Sequence, residues 1–312
     1  MELEELIKAK SRIEDYVIKT PLIPLERLEN RLGFTPWLKL ENLQNIGAFK
    51  IRGAMNAALQ LSQEELDKGF ITASSGNHGR AVAYAAKVLN TKALILLPNT
   101  VSQIKHQAIK DLGAQTLLVE PQKRIEIAQQ ISKEKGLHFI HPFNDMDVII
   151  GQASLGLEIL DQHPSTKRIF VPMGGGGLVS GILLAVKAIN PDVEVIGLEP
   201  AAVPKFSSNL NKETIEAVKE SPSIADALLS NKPGSLALEI VRKNLDRLIS
   251  VEETYIKDAF RLLLEEGKIL AEPSSAIGLA SILQEGESFY DLEDSVFIIS
   301  GGNISLDSIL KI

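Results

Sequence analysis

Cysteine is missing altogether from the 312 residues of this chain. That absence excludes disulfides, thiolate nucleophiles and Cys-ligated zinc or iron–sulfur sites, and it suits a reducing compartment, so a cytoplasmic location is expected. Basic clusters are missing too. The 33 Lys and Arg are scattered among 40 Asp and Glu, for a formal net charge of -7, whereas a nucleic-acid partner calls for grouped cations. No apolar run is long enough to span a bilayer. The opening MELEELIKAKSRIEDYV is charged and helical rather than basic and then apolar, so no signal peptide is expected. Internal repeats and low-complexity tracts are absent. What is present is a 45% hydrophobic composition, enough to bury a large core, on a chain whose length suits two lobes better than one.

Short apolar runs alternate with longer segments of helical spacing, the pattern of parallel sheets with crossover helices. Strands are expected at 36–41, 70–74, 93–98, 115–120, 137–142, 168–173, 193–200, 247–251 and 295–301. GRAVAYAAKVLN, SQIKHQAIKDLG, RIEIAQQISKEKG and LVSGILLAVKAIN have helical spacing, and two of them end in Gly, a common helix stop. The polar stretch 207–223 is expected to be a mobile surface excursion. In open parallel sheets ligands bind beyond the carboxyl ends of strands, and three segments there carry chemistry.

The first is Gly174, Gly175, Gly176 and Gly177, between a strand and a helix. Without Cβ atoms such a loop aims several backbone N–H groups at an anion beside the positive end of the helix dipole, which suits a phosphate. An ordinary strand-to-helix turn needs fewer glycines. The spacing is neither a nucleotide P-loop nor G-x-G-x-x-G, since Val179 and Ser180 stand at the third-glycine positions. A dinucleotide reading survives only through Glu199, at the end of the next strand, as a ribose acceptor. The second segment, Ser74, Ser75, Gly76, Asn77 and His78, opens another helix. One residue suffices for a cap, so three polar side chains followed by His suggest a loop for a substrate carboxylate. The third, IISGGN at 298–303, offers a hydroxyl at Ser300. Between Phe49 and Ile51 stands Lys50. A lysine in apolar surroundings loses its charge readily, and the neutral amine can condense with a carbonyl. An aldehyde-binding amine beside a phosphate cradle describes a pyridoxal 5'-phosphate site.

With these residues assembled, the chain resembles the serine/threonine dehydratase and serine racemase family of pyridoxal-phosphate enzymes over nearly its whole length. The resemblance lies in GAFKIRGA, SSGNHGRA, GGGGLVSG, IIGQASLGLEI, AEPSSA and SGGNISL, in that order. It implies a tryptophan-synthase-β-like α/β fold: two-lobed, three-layered α/β/α, with mostly parallel sheets. A large domain of 1–68 plus 145–312 would hold the cofactor, and a small mobile domain of 69–144 would close on it. The resemblance implies that Lys50 binds the cofactor aldehyde with Phe49 beside it, and that Gly174 to Gly177 take its phosphate. Asn77 would meet the ring hydroxyl and Ser300 the pyridine nitrogen, with Glu272 of AEPSSA also against the cofactor. Ser74, Ser75, Gly76, Asn77 and His78 would bind the substrate carboxylate.

The reaction so implied is β-elimination from L-threonine or L-serine. The freed Lys50 removes the Cα proton, the hydroxyl leaves with help from the cofactor phosphate, and hydrolysis gives a 2-oxo acid and ammonia. Racemases resembling this chain place a serine at Ser75 as a second acid/base, and an arginine at Arg124 that closes over the substrate. These two residues bring serine racemisation or 3-hydroxyaspartate dehydration into view. A nicotinamide-dependent oxidoreductase and a non-catalytic cofactor-binding protein are the alternatives of another class. A homodimer is expected, and the chain's end shortly after SGGNIS implies no regulatory domain.

Three positions depart from the family pattern: Ala48 for a serine, Ala227 for a glycine, and Lys205 for an aspartate. Relatives with a divalent-cation site have Glu, a carbonyl and Asp where this chain has Glu199, Val203 and Lys205. A protonated lysine cannot ligate, so its ammonium is expected to take the cation's place and no metal is expected.

Overall fold

The sequence's apolar runs become ten strands in a computed structural model, which describes residues 1–74, 76–219, 221–286 and 291–312. They are β1 (Leu22–Pro24), β2 (Trp37–Leu40), β3 (Phe70–Ala73), β4 (Ala93–Pro98), β5 (Gln115–Val119), β6 (His138–Phe139), β7 (Arg168–Pro172), β8 (Glu194–Pro200), β9 (Arg247–Val251) and β10 (Ser295–Ile299). Two sheets result, one ordered β1-β2-β10-β7-β8-β9 and the other β5-β4-β3-β6. Every pairing is parallel except β1 with β2. Parallel strands covered by helices on both faces are buried on both sides, which explains why they read as unbroken apolar runs.

All nine expected strands are present, with two differences. Strand β1 has no counterpart among them: it is three residues long, ends in Pro24 and lies at a sheet edge, where proline is tolerated. Strand β6 is only His138–Phe139 instead of 137–142. The chain leaves the sheet because His141 Nδ1 accepts from the amides of Phe143 and Asn144, turning 141–144 toward the other sheet. The four expected helices form at Asn77–Val88, Gln103–Lys110, Arg124–Lys135 and Gly177–Ile189. Among the described residues, 207–223 contain no helix or strand, but Asn209 pins this stretch by donating to the carbonyls of Lys205 and Glu216. No helix among the described residues is long and apolar enough to cross a membrane.

The six-stranded sheet has a helical layer on each face. Helices Glu253–Glu265 and Pro273–Glu285 cover one face around Phe170, Phe260 and Phe297. Helices Gly177–Ile189 and Ser235–Asn244 cover the other around Val171, Val179 and Phe206. Helix Lys50–Ala58 lies between the sheets, and its residues 51–58 are all buried. It approaches helix Met146–Gln162 so closely that a Cβ on Gly53 would sit 2.7 Å from the Val148 carbonyl.

Burial at that depth leaves Arg52 no water, and two carboxylates meet it instead. Its Nε and Nη2 donate to Glu41 at 2.7 and 2.8 Å, and its Nη1 and Nη2 donate to Glu158 at 2.7 and 2.9 Å. Lys39 Nζ, also fully buried, donates to Glu158 at 2.7 Å and to the Thr20 carbonyl at 2.8 Å. Opposite charges hold the Arg52 guanidinium protonated, with a pKa raised despite desolvation, and they draw the Glu158 pKa down against the same penalty. The cluster ties β2, helix Lys50–Ala58 and helix Met146–Gln162 together. Removing one member leaves buried charge uncompensated, which costs about 3–5 kcal/mol. Arg52→Met is expected to lose stability of that order in urea unfolding. Lys19→Met, which breaks the exposed Lys19–Asp161 pair, should lose less than about 1 kcal/mol; equal losses would contradict the assignment.

Candidate active site

Three strand ends and the start of helix Lys50–Ala58 meet at a cleft of ≈ 1170 Å³. Beyond β7 the chain turns through Gly174–Gly177 into helix Gly177–Ile189. Among the described residues the amides of Gly174, Gly175 and Gly176 donate to no protein acceptor, so the loop presents open donors at a helix N-terminus. Gly175 and Gly176 are sterically required. A Cβ on Gly175 would stand 2.2 Å from the Phe143 ring, and Gly176 has φ +101°.

Beyond β3, Gly76 precedes the helix that starts at Asn77, and Gly76 N–H reaches Ser74 Oγ at a long 3.4 Å. The expected Ser75 lies outside the described residues. His78 is buried, and its Nε2 lies 3.0 Å from the Ile140 carbonyl. A carbonyl only accepts, so Nε2 carries the proton and Nδ1, which is buried without a partner, is a bare acceptor. Burial pushes this imidazole down to about 3, with the Lys50 charge adding to the effect, so it is neutral.

Beyond β10, Ser300 Oγ is 3.0 Å from Ser275 Oγ, which also accepts from Gly301 N–H and donates to its carbonyl. Glu272 is buried at the start of helix Pro273–Glu285, and desolvation raises its pKa. Its carboxylate accepts from Asn77 Nδ2 at 3.0 and 3.1 Å and from Asn303 N–H at 2.9 Å. Asn303 in turn donates to Asn77 Oδ1 and accepts from Arg80. This chain of contacts joins the start of a helix on the smaller sheet to the larger one.

Lys50 stands at the first position of its helix. Two contacts fix the arm before it: Ala48 bridges Gly301, and Phe49 N–H donates to the Ser300 carbonyl at 3.0 Å. The Nζ atom donates to the Pro142 carbonyl at 2.8 Å and lies 5.1 Å from the Phe49 ring centroid. The side chain borders the cleft and is half-buried overall, but desolvation of its amine draws the pKa to about 8.

Every expected site residue in the described parts lines this cleft: Phe49, Lys50, Ser74, Gly76, Asn77, His78, Arg124, Gly174 to Gly177, Glu272 and Ser300. Arg124, half-buried, donates through Nε to the Pro121 carbonyl at 2.8 Å. Four further features at or beside the cleft are not among the residues expected from the sequence: Arg80, Ser275, Phe143 and the Lys105–Asp226 ion pair, which at 2.7 Å joins helix Gln103–Lys110 to the segment beside Ala227. Ser275 lay within the quoted AEPSSA, whereas Phe143 and Lys105 had no local signal.

The departures find physical accommodation. Ala48 is fully buried at its bridge. Ala227 is not among the residues with positive φ, so its backbone does not require glycine. Lys205 and Glu199 are both fully buried, with Nζ 3.8 Å from Glu199 Oε2 and 3.5 Å from the Val203 carbonyl. Both Glu199 oxygens accept amides, from Phe206 at 2.8 Å and Ser207 at 2.9 Å. That carboxylate faces inward and does not serve a ribose, which removes the support for a dinucleotide.

Open amides in a glycine cradle, a desolvated amine and a hydroxyl on the adjacent strand end are the features of a fold that binds a phosphorylated aldehyde. The chain belongs to the family described as pyridoxal-phosphate dependent enzymes, whose model matches residues 13–301. It is 38% identical to an L-threonine ammonia-lyase of Thermotoga maritima over 99% of this chain and 77% of that protein. It is 40% identical to a serine racemase of Dictyostelium discoideum over 99% of this chain and 97% of the other. Maize serine racemase superposes with a TM-score of 0.93 at 34% identity, over 99% and 96% of the two chains.

With a pKa of about 8, about a tenth of Lys50 is neutral at pH 7, against roughly one in three thousand for an ordinary lysine. The rate at which cofactor-free protein captures pyridoxal phosphate should therefore rise with pH through a midpoint near 8. Stopped-flow absorbance measures it, and a midpoint near that of free lysine would contradict the desolvation.

Proposed function

We propose that this cleft performs β-elimination from L-threonine or L-serine to a 2-oxo acid and ammonia. The observation that carries the proposal is the desolvated Lys50 amine in one cleft with the open Gly174–Gly176 amides and the Ser300 hydroxyl. In this reading the glycine loop holds the cofactor phosphate. Phe49 and Glu272 line the ring, Asn77 meets its hydroxyl, and Ser300, set by Ser275, meets its nitrogen. Pyridoxal phosphate, when bound, supplies an electron sink for the pair left on Cα. Ser74, Ser75, Gly76, Asn77 and His78 receive the substrate carboxylate through hydroxyls and the backbone amides of this helix start, the His78 ring having given its one proton to the Ile140 carbonyl. Lys50, neutral once deprotonated, accepts the Cα proton. The hydroxyl leaves as water and a water returns in hydrolysis, so the net change is HO–CHR–CH(NH3+)–COO⁻ to R–CH2–CO–COO⁻ plus NH4+.

The division into 1–68 plus 145–312 and 69–144 follows the two sheets, and closure of the smaller unit would exclude water. The proposal carries a homodimer in the cytoplasm, in keeping with the family resemblance and the missing cysteines.

A second reading, serine racemisation, is favoured by the serine racemase relatives. It needs a second acid/base on the face of Cα opposite Lys50, and Ser75 is the residue for it. Arg124 at the cleft's edge would favour 3-hydroxyaspartate, whose second carboxylate a guanidinium grips bidentately. A panel of β-hydroxy amino acids in both enantiomers, assayed for 2-oxo acid and for inversion, decides among these. Formation of 2-oxo acid from L-threonine or L-serine is expected, and its absence from every member would overturn the proposal. Should D-serine form, Ser75→Ala is expected to abolish it while sparing elimination. Loss of both would contradict two separate bases.

A further inference from the structure

Lys205 is a buried cation that is not among the residues lining the cleft. Lysine is almost never fully buried unless paired, and this one keeps none of its surface. Burial brings it down to about 8, while Glu199 opposes the shift. Its carboxylate partner ends β8, immediately beside β7, the strand that feeds the glycine loop. Glu199 gathers three groups from one turn: the amides of Phe206 and Ser207 and the Lys205 ammonium. The next contact leads to the cleft. With its amide tied to Glu199, Phe206 is fully buried, and its ring lies against Gly176 so closely that a Cβ there would be 2.7 Å from Phe206 Cζ. From another side Phe143 presses on Gly175 and Gly177. The cradle thus lies between two rings, one of them on the residue whose amide the buried carboxylate holds.

We propose that Lys205 is a positioning residue for the phosphate cradle. Its ammonium neutralises Glu199 and keeps the 203–207 turn seated, so that Phe206 holds Gly176 with the loop amides converging on the anion. Without it, Glu199 is a buried carboxylate lacking its counter-charge close behind a loop that must receive a phosphate. Both the seating of the turn and the local potential then oppose the anion. This rests on the reading of Gly174 to Gly177 as the cofactor's phosphate site.

The test compares two aldehydes that differ only in the phosphate. Dissociation constants for pyridoxal phosphate and for pyridoxal are measured by absorbance on cofactor-free wild-type protein, Lys205→Met and Phe206→Leu. In both variants pyridoxal phosphate is expected to weaken by about tenfold or more, roughly 1.4 kcal/mol. Pyridoxal should change by less than about twofold. A merely destabilised protein would not distinguish the two aldehydes. An unchanged ratio of the two constants in both variants, whether each ligand weakens or neither does, overturns the proposal. If Lys205→Met does not fold, Phe206→Leu, which leaves the ion pair intact, decides alone. Failure of wild-type protein to bind pyridoxal phosphate on Lys50 would instead sink the functional reading.

Discussion

An amine kept short of water is the constraint on which the rest of this structure depends. Desolvation brings the Lys50 ammonium to about 8, and that penalty must be met by a framework that cannot relax and admit solvent. The framework is helix Lys50–Ala58, buried on every side from its second residue onward. Two residues beyond Lys50 the Arg52 guanidinium is clamped by Glu41 and Glu158, and Lys39 shares Glu158. Such a cluster adds little net stability compared with apolar packing, but a shift of the elements that carry it would strand a buried charge, at a cost of about 3–5 kcal/mol. The helix start, and with it the amine, is thereby fixed in the cleft.

Around that amine the architecture converges from three strand ends. The glycine loop supplies donors without acceptors, and the Ser300 turn supplies a hydroxyl set by Ser275. The network from Glu272 through Asn77 and Asn303 to Arg80 connects the two sheets across the cleft wall. The Lys105–Asp226 pair makes a second connection nearer the solvent. A ligand lying between the sheets would touch groups fixed to both.

Much of this was legible in the sequence, for identifiable reasons. Parallel strands buried on both faces leave unbroken apolar runs, and the expected nine all fall on strands. Four successive glycines stand out in any sequence as a loop able to aim its amides at an anion, and in the fold a Cβ on Gly175 or Gly176 would collide with the Phe143 or Phe206 ring. What escaped was long-range. Strand β1 is too short to show a period, and β6 was overdrawn because nothing local reveals that His141 turns the chain away. Arg52 meets Glu158 across more than a hundred residues of sequence, and Phe206 meets Gly176 only through folding. Lys205 is legible in the sequence as a departure from the family pattern, but its route to the glycine loop runs through contacts that only folding makes.

The measurement that bears most directly on the central claim is chemical trapping of the amine. Protein loaded with pyridoxal phosphate is reduced with borohydride, digested and mapped by mass spectrometry. The account predicts one pyridoxyl adduct, on the peptide containing Lys50, and none on the buried Lys39 or Lys205. An adduct confined to another lysine, or no adduct at all, would contradict it.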